Sequence, residues 1–186
     1  MHFSTLLAIA IVSAGVAASS AQTKVRDCVV TVAEREAMLR QDYQTFDEAA
    51  DANSWRNLLQ RGCVREAVAI LQAYGRQNGS RLTRDQRLEL NFHIGQTLAF
   101  GGYDAESLPY FESARADGAS AEWNAYVDAT VAFLRKDRAG LEDAKRRYAA
   151  APAAQPMRVK IIDGFLKCLE KTYAEAVHCA FDRDMR

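Results

Sequence analysis

The hydrophobic residues of this chain recur mostly at three- and four-residue steps, and the pattern is clearest from Leu88 to Ala114. The apolar and small positions of its first part form one helical stripe: Leu90, Phe92, Ile94, Gly95, Leu98 and Ala99. Gly101 and Gly102 follow, and glycine carries an entropic cost inside a helix. Apolar residues then resume the same spacing through residues 108–114. The stretch therefore predicts two helices that meet at a glycine turn.

The rest of the chain has the same helical period, and no segment alternates as a half-buried strand would. Thr83 and Gln86 form a capping box, in which each side chain can satisfy a backbone N–H group at the start of the central helix. Pro152 and Pro156 end a short helix, because proline cannot continue one. The predicted helices cover residues 31–47, 51–61, 64–74, 83–100, 102–114, 120–134, 141–148, 161–169 and 173–181. The predicted fold class is all-α.

A small residue followed four positions later by a second inward residue recurs in every returning helix. The four pairs are Ala67 and Leu71, Ser107 and Phe111, Ala144 and Tyr148, and Ala176 and Ala180. Their intervals bracket the period of about 34 residues that defines the tetratricopeptide repeat. The central series Ile94-Gly95, Leu98, Gly102, Ser107, Phe111, Ala114 resembles that repeat, and the resemblance covers roughly residues 45–182. The third unit departs from it, because its first helix contains no glycine.

This resemblance implies antiparallel helix pairs stacked as a short α-α superhelix. Residues 22–44 would be a lead-in and first helix, and residues 45–186 the repeat domain. In tetratricopeptide-like arrays the first helix of each pair lines a binding groove, which implies Arg56, Phe92, Gln96 and Tyr126 as binding residues here. The alternatives are that Phe92 and Tyr126 belong to the core, and that the helices form a bundle without true repeats.

The N-terminal segment predicts export. Phe3 to Val16 is an uncharged apolar run, and small residues follow it as far as Ala21, as in a secretory signal peptide. The positive n-region is missing, but the run is short for a membrane span and no second candidate span follows. Arginine is far commoner than lysine and alanine is abundant, as in a GC-rich bacterium. We expect residues 1–21 to be cleaved and the mature protein to be periplasmic or secreted, without stable membrane insertion.

The cysteines predict two disulfides, because an even number in an oxidising compartment normally pairs. The four residues, Cys28, Cys63, Cys168 and Cys179, allow three pairings. Cys168 and Cys179 would lie about 16 Å apart on one helix, so a bond between them requires the turn that the repeat spacing places at residues 170–173. We expect that bond, with Cys28 left for Cys63. A bond between cysteines from opposite ends would instead indicate a closed bundle.

The charge balance and the absence of familiar motifs disfavour several classes of function. The 24 basic residues balance the 24 acidic ones, which argues against nucleic acid as a partner. Familiar hydrolase, metalloprotease and nucleotide-binding motifs are absent, and we expect no cofactor. His93 is expected at a packing edge, and His178 beside a disulfide rather than as a metal ligand. The sequence favours a non-enzymatic scaffold for a protein or peptide partner; the alternatives are a structural subunit of a cell-envelope assembly and, less favoured, an enzyme with an unrecognised site.

Overall fold

The computed structural model describes residues 28–181, so the predicted signal peptide lies outside the described residues. Within this range the chain contains ten α-helices and no strand. The helices are α1 (Val32–Arg40), α2 (Tyr43–Glu48), α3 (Trp55–Gln60), α4 (Val64–Asn78), α5 (Arg84–Phe100), α6 (Asp104–Ala114), α7 (Ala121–Leu134), α8 (Arg138–Ala149), α9 (Pro156–Lys167) and α10 (Tyr173–Cys179). The predicted all-α class is confirmed. None of the described helices is both long enough and apolar enough to cross a bilayer.

Local signals fix most helix ends. Thr83 and Gln86 form the predicted capping box, and α5 ends at Phe100 before the glycine turn. Gly102 has a φ of +78°, a conformation that glycine adopts without a steric cost. Pro156 opens α9 at its first position, where the missing N–H group has no helical partner to lose.

Two of the predicted N-terminal helices are wrong in their bounds. The helix expected over residues 31–47 is divided into α1 and α2, because Asp42 accepts a hydrogen bond from the Thr45 N–H and begins a new helix. The helix expected from residue 51 starts only at Trp55, where the Ser54 side chain caps it. Both breaks come from short polar side chains that compete for backbone N–H groups.

The last eight helices form four antiparallel pairs: α3 with α4, α5 with α6, α7 with α8, and α9 with α10. Each of the second helices α4, α6 and α8 also packs on the first helix of the next pair, as in the predicted stacked arrangement. α5 is the centre of the molecule, because its two faces are buried in different cores. Leu90, Ile94 and Leu98 pack with α1–α4, whereas Phe92 and Ala99 pack with α6–α10.

Both disulfides pair as predicted. Cys28 bonds to Cys63, with their Cα atoms 5.4 Å apart, and ties the lead-in segment to the start of α4. Cys168 bonds to Cys179, with Cα atoms 6.5 Å apart, across the turn between α9 and α10. The two ends of the chain are thus each closed locally, and no described disulfide joins one end to the other.

The last helix makes a contact that stacking alone does not predict. α10 packs against the end of α5, where the fully buried ring of Tyr173 lies 5.0 Å from that of Phe100. The Tyr173 ring also lies 5.4 Å from the Phe165 ring of α9. The array of pairs therefore curls back on its central helix.

Candidate binding site

Two of the four predicted binding residues are buried. Phe92 and Tyr126 are only 4% and 3% exposed, and their rings lie 5.4 Å apart between α5 and α7. Phe92 also packs on the Phe111 ring of α6. They do lie on first helices, but their side chains pack between helices and belong to the core.

The other two predicted residues, Arg56 and Gln96, are half-buried and hold the fold together. Arg56 Nη2 lies 3.0 Å from Asp47 Oδ2, which links α3 to α2. Gln96 Nε2 donates a hydrogen bond of 3.3 Å to the Tyr173 hydroxyl, which links α5 to α10. Both side chains therefore contact other parts of this chain instead of an open groove.

An open surface lies about one helical turn before Phe92 and Tyr126, at the N-terminal ends of α5, α7 and α9. A cavity of about 250 Å³ is present there, which we call the Arg158 cavity. Its walls come from α5, from the residues that start α7, and from α9; they are Asp85, Leu88, Glu89, Ala119, Ser120, Trp123 and Arg158. The cavity combines two carboxylates, one guanidinium and an aromatic face.

Arg158 is the most exceptional of these residues. Its guanidinium carbon lies 5.6 Å from the centre of the Trp123 ring and 5.0 Å from that of Tyr126, so two aromatic faces hold it in place. It makes no ion pair with any residue from 28 to 181. It lies in the first turn of α9, which contains no acidic residue and where the helix dipole is positive. Arg158 is therefore a fixed positive charge without an ion-pair partner within residues 28–181, and it can bind an anionic group although Asp85 and Glu89 line the same cavity.

A group of polar side chains, which we call the polar cluster, lies on the neighbouring face of α5. Its members are Tyr43, Asp47, Arg56, Glu89 and His93. His93 Nδ1 lies 2.7 Å from Asp47 Oδ1, and the Tyr43 hydroxyl donates a hydrogen bond of 3.2 Å to Glu89 Oε2. Glu89 also lines the Arg158 cavity, so the two sites share a wall.

The polar cluster has a marked effect on two ionisable groups. Burial opposes ionisation of Asp47, but the contact with His93 and the charge of Arg56 outweigh it and hold the pKa of Asp47 below its ordinary value. Burial, together with the charges of Glu89 and Asp47, raises the pKa of Tyr43 well above its ordinary value. Near neutral pH the cluster thus contains an ionised carboxylate at Asp47 and a neutral hydroxyl at Tyr43.

A second, wider depression of about 830 Å³ lies at the opposite ends of the first helices. It is bordered by the turns around Gly62 and Gly101 and by His178 of α10. Arg65 covers the Tyr103 ring at 3.8 Å and pairs with Glu106 at 2.6 Å, so its charge is compensated. His178 is exposed, and its Nδ1 lies 2.8 Å from the Ala174 carbonyl oxygen. The arginine of this depression is therefore ion-paired, whereas Arg158 is not.

Sequence reasoning missed the residues that line the cavity. Glu89 of the cavity and His93 of the polar cluster are four positions apart, which places them on one helix face. That spacing could have indicated from the sequence that the two side chains are neighbours. Trp123 and Arg158 come from helices far apart in the chain, and no local pattern joins them to α5. Comparisons with models of protein families, with curated proteins and with solved structures find no match to this chain.

Proposed function

We propose that this protein is a non-enzymatic, tetratricopeptide-like scaffold of the periplasm or extracellular space, and that it binds a peptide segment of a partner protein in the Arg158 cavity. The observation that carries the proposal is the half-buried Arg158 guanidinium, which is fixed on two aromatic rings and has no ion pair within residues 28–181. An acidic side chain or a terminal carboxylate of the partner supplies the missing charge.

The size of the cavity favours a peptide over a small molecule. Pockets for drug-sized ligands typically enclose about 300–1,000 Å³, whereas the Arg158 cavity encloses about 250 Å³. A space of this size accepts one or two side chains, while the rest of a peptide lies outside. Leu88 and Trp123 offer apolar contact to such an anchor residue, and Asp85 and Glu89 favour a basic residue beside the acidic one.

The two disulfides support export. The disulfides close both ends of the described fold, and such bonds persist in oxidising compartments. We therefore expect intact-mass analysis of the exported protein to show that residues 1–21 have been removed. Replacing Leu7 and Ile9 by arginine should block export, because the h-region of a signal peptide must stay apolar. Recovery of the full-length chain from the envelope would contradict this part of the proposal.

The alternative of a structural subunit in an envelope assembly receives less support from the surface. A large apolar patch is typical of a permanent interface. The large hydrophobic side chains that are exposed between residues 28 and 181 belong to three separate segments: Val29 and Val32, Met157, and Phe181.

The proposal is tested by a pull-down of the exported protein from its native envelope, with mass spectrometry, followed by a peptide array built from the recovered partners. Arg158→Gln should abolish capture or weaken it at least tenfold. Arg146→Gln is the matched control, because Arg146 is an arginine on α8 with a side chain 70% exposed. Circular dichroism establishes that both variants fold. Equal capture by Arg158→Gln and by the parent would refute the proposed site.

A further inference from the structure

The polar cluster contains three side chains that present metal-ligand atoms to one point. Asp47, Glu89 and His93 each offer one such atom, and the three atoms lie within 4.8 Å of one another. The geometry points to a divalent-cation site at these residues, with Zn²⁺ as its ligand. This inference goes beyond the proposed function, since it needs no peptide partner.

The central observation is a buried carboxylate oxygen without a hydrogen bond. Asp47 is more than nine-tenths buried, and its Oδ1 has no hydrogen-bond partner among residues 28–181. The same is true of His93 Nδ1, although the two atoms are only 2.7 Å apart. The two atoms are close enough for an ion pair, but their contact does not meet the angles of a hydrogen bond. Buried polar atoms are normally satisfied, and a shared cation satisfies both.

The outer contacts of the cluster are those expected around a metal. Carboxylate ligands are usually held by hydrogen bonds to their second oxygen. Arg56 Nη2 donates to Asp47 Oδ2 at 3.0 Å, and the Tyr43 hydroxyl donates to Glu89 Oε2 at 3.2 Å. Asp47 Oδ1 and Glu89 Oε1 are left to face the cation. The side chains come from α2 and α5, which the fold holds together.

The charge of the cluster also favours a cation. Arg56 compensates Asp47, whereas Glu89 makes no ion pair with a lysine or arginine within the described range. A half-buried carboxylate of this kind is costly unless it is paired or bound to a metal. Zn²⁺ compensates Glu89 and also accepts the imidazole nitrogen.

The donor set is compatible with zinc. One imidazole and two carboxylates suit zinc, whose bonds to nitrogen and oxygen are about 2.0–2.2 Å long. Ligand atoms around a tetrahedral zinc ion lie about 3.3–3.6 Å apart, so Asp47 Oδ1 and His93 Nδ1, which are 2.7 Å apart, must separate by roughly half an ångström to bind one ion. Three protein ligands leave a fourth position for water or for a group of the peptide. Glu89 also lines the Arg158 cavity.

The test is isothermal titration of ZnCl₂ into the exported protein, purified without a histidine tag and freed of metal with a chelator. We expect one zinc ion per chain. Glu89→Gln and His93→Gln should each weaken binding at least tenfold. Tyr43→Phe should weaken it about tenfold, because outer-contact residues typically contribute about 10–100-fold. His178→Gln and Asp143→Asn are controls that remove a histidine and a carboxylate outside both the cluster and the Arg158 cavity, and they should bind zinc like the parent.

A second readout uses Trp55, whose ring lies 5.3 Å from that of His93. Co²⁺ at the cluster should quench its fluorescence in the parent and in His178→Gln, but not in Glu89→Gln. Circular dichroism must show native helix content, and if His93→Gln does not fold, Glu89→Gln decides the outcome. The absence of zinc binding, or equal affinity in the parent and in Glu89→Gln, would overturn the inference and leave Asp47 and His93 as an ion pair.

Discussion

The two sides of α5 are built from different chemistry. On the side of α1–α4, two helices are only six residues long, and the contact with α5 includes the polar cluster. On the side of α7–α10 the contact is aromatic, with the Phe133 and Phe165 rings stacked 4.6 Å apart and Tyr173 fully buried. One face of the central helix is thus held by an aromatic core with the single hydrogen bond from Gln96 to Tyr173 described above, and the other by a core plus a cluster of charged groups.

This difference shows where function is to be sought. A sealed aromatic core needs no further explanation, because buried apolar area stabilises it. Buried polar groups cost free energy unless they are paired, so their presence at Asp47 and His93 requires a compensating role. Natural proteins tend to break packing rules of this kind at functional sites. The short N-terminal helices also make that side more dependent on its disulfide.

The largest effect is therefore expected from the N-terminal disulfide. Replacing Cys28 and Cys63 by alanine should destabilise the protein by about 4 kcal/mol, and replacing Cys168 and Cys179 by about 3 kcal/mol. The reason is loop length, since the first bond spans 35 residues and the second 11. Urea unfolding of the two double variants measures both. A larger loss from the C-terminal pair would reverse the proposed ranking of the two sides.

The predictable part of this fold is local. The Cys168–Cys179 disulfide, the capping box at Thr83 and the glycine turn after Phe100 each depend on residues close in the chain or on one turn, and the Cys28–Cys63 pairing then follows by elimination. The contact of Tyr173 with α5 was not predictable, because it depends on how far the whole array curls. For the same reason the sequence could not place Phe92 and Tyr126 in the core, since helical spacing does not say which neighbour a face meets.

The candidate site is predictable to a smaller extent still. Arg158 and Glu89 are brought together by three helices, and neither residue has a distinctive sequence context. Asp42 also changes the expected geometry, because it begins α2 and so places Asp47 opposite His93. Side chains gathered from separate elements become a site only through the tertiary fold.

The next largest effect should come from Gly164 on the C-terminal side. A Cβ atom at this position would lie 2.5 Å from the Ala176 carbonyl oxygen and 2.8 Å from the Ala180 nitrogen. Both are backbone atoms of α10 or its cap, and the disulfide holds that helix in place. Gly164→Ala should therefore cost about 3 kcal/mol, the upper end of the usual range for overpacking. Thermal unfolding at constant pH measures the loss.

On the N-terminal side, Asp47→Asn should cost about 1–2 kcal/mol, because it removes the charge that Arg56 and His93 face. Asp143→Asn is the matched control. Asp143 pairs with Arg146 and Arg147 on an exposed face of α8, where ion pairs contribute little. Urea unfolding should show a clear loss for Asp47→Asn and little change for the control. Equal stability of the two variants would mean that the polar cluster does not contribute to the fold.

The smallest effect should come from Gly95→Ala. Gly95 faces the partner helix α6, as Gly164 faces α10. A Cβ atom at Gly95 would lie 3.1 Å from the Phe111 ring, a side chain that can shift by a few tenths of an ångström. Alanine is also the better helix former by about 1 kcal/mol, so Gly95→Ala should leave stability nearly unchanged. Gly95→Leu should cost about 1–3 kcal/mol, because the ring cannot move that far in a filled core.

Thermal unfolding of Gly95→Ala, Gly95→Leu and Gly164→Ala compares the two glycines directly. The type of neighbouring atom decides the cost: a rigid backbone at Gly164 excludes even a methyl group, whereas a ring at Gly95 yields to one. Equal losses for Gly95→Ala and Gly164→Ala would contradict that explanation, and a Gly95→Leu variant as stable as the parent would place Gly95 at the surface.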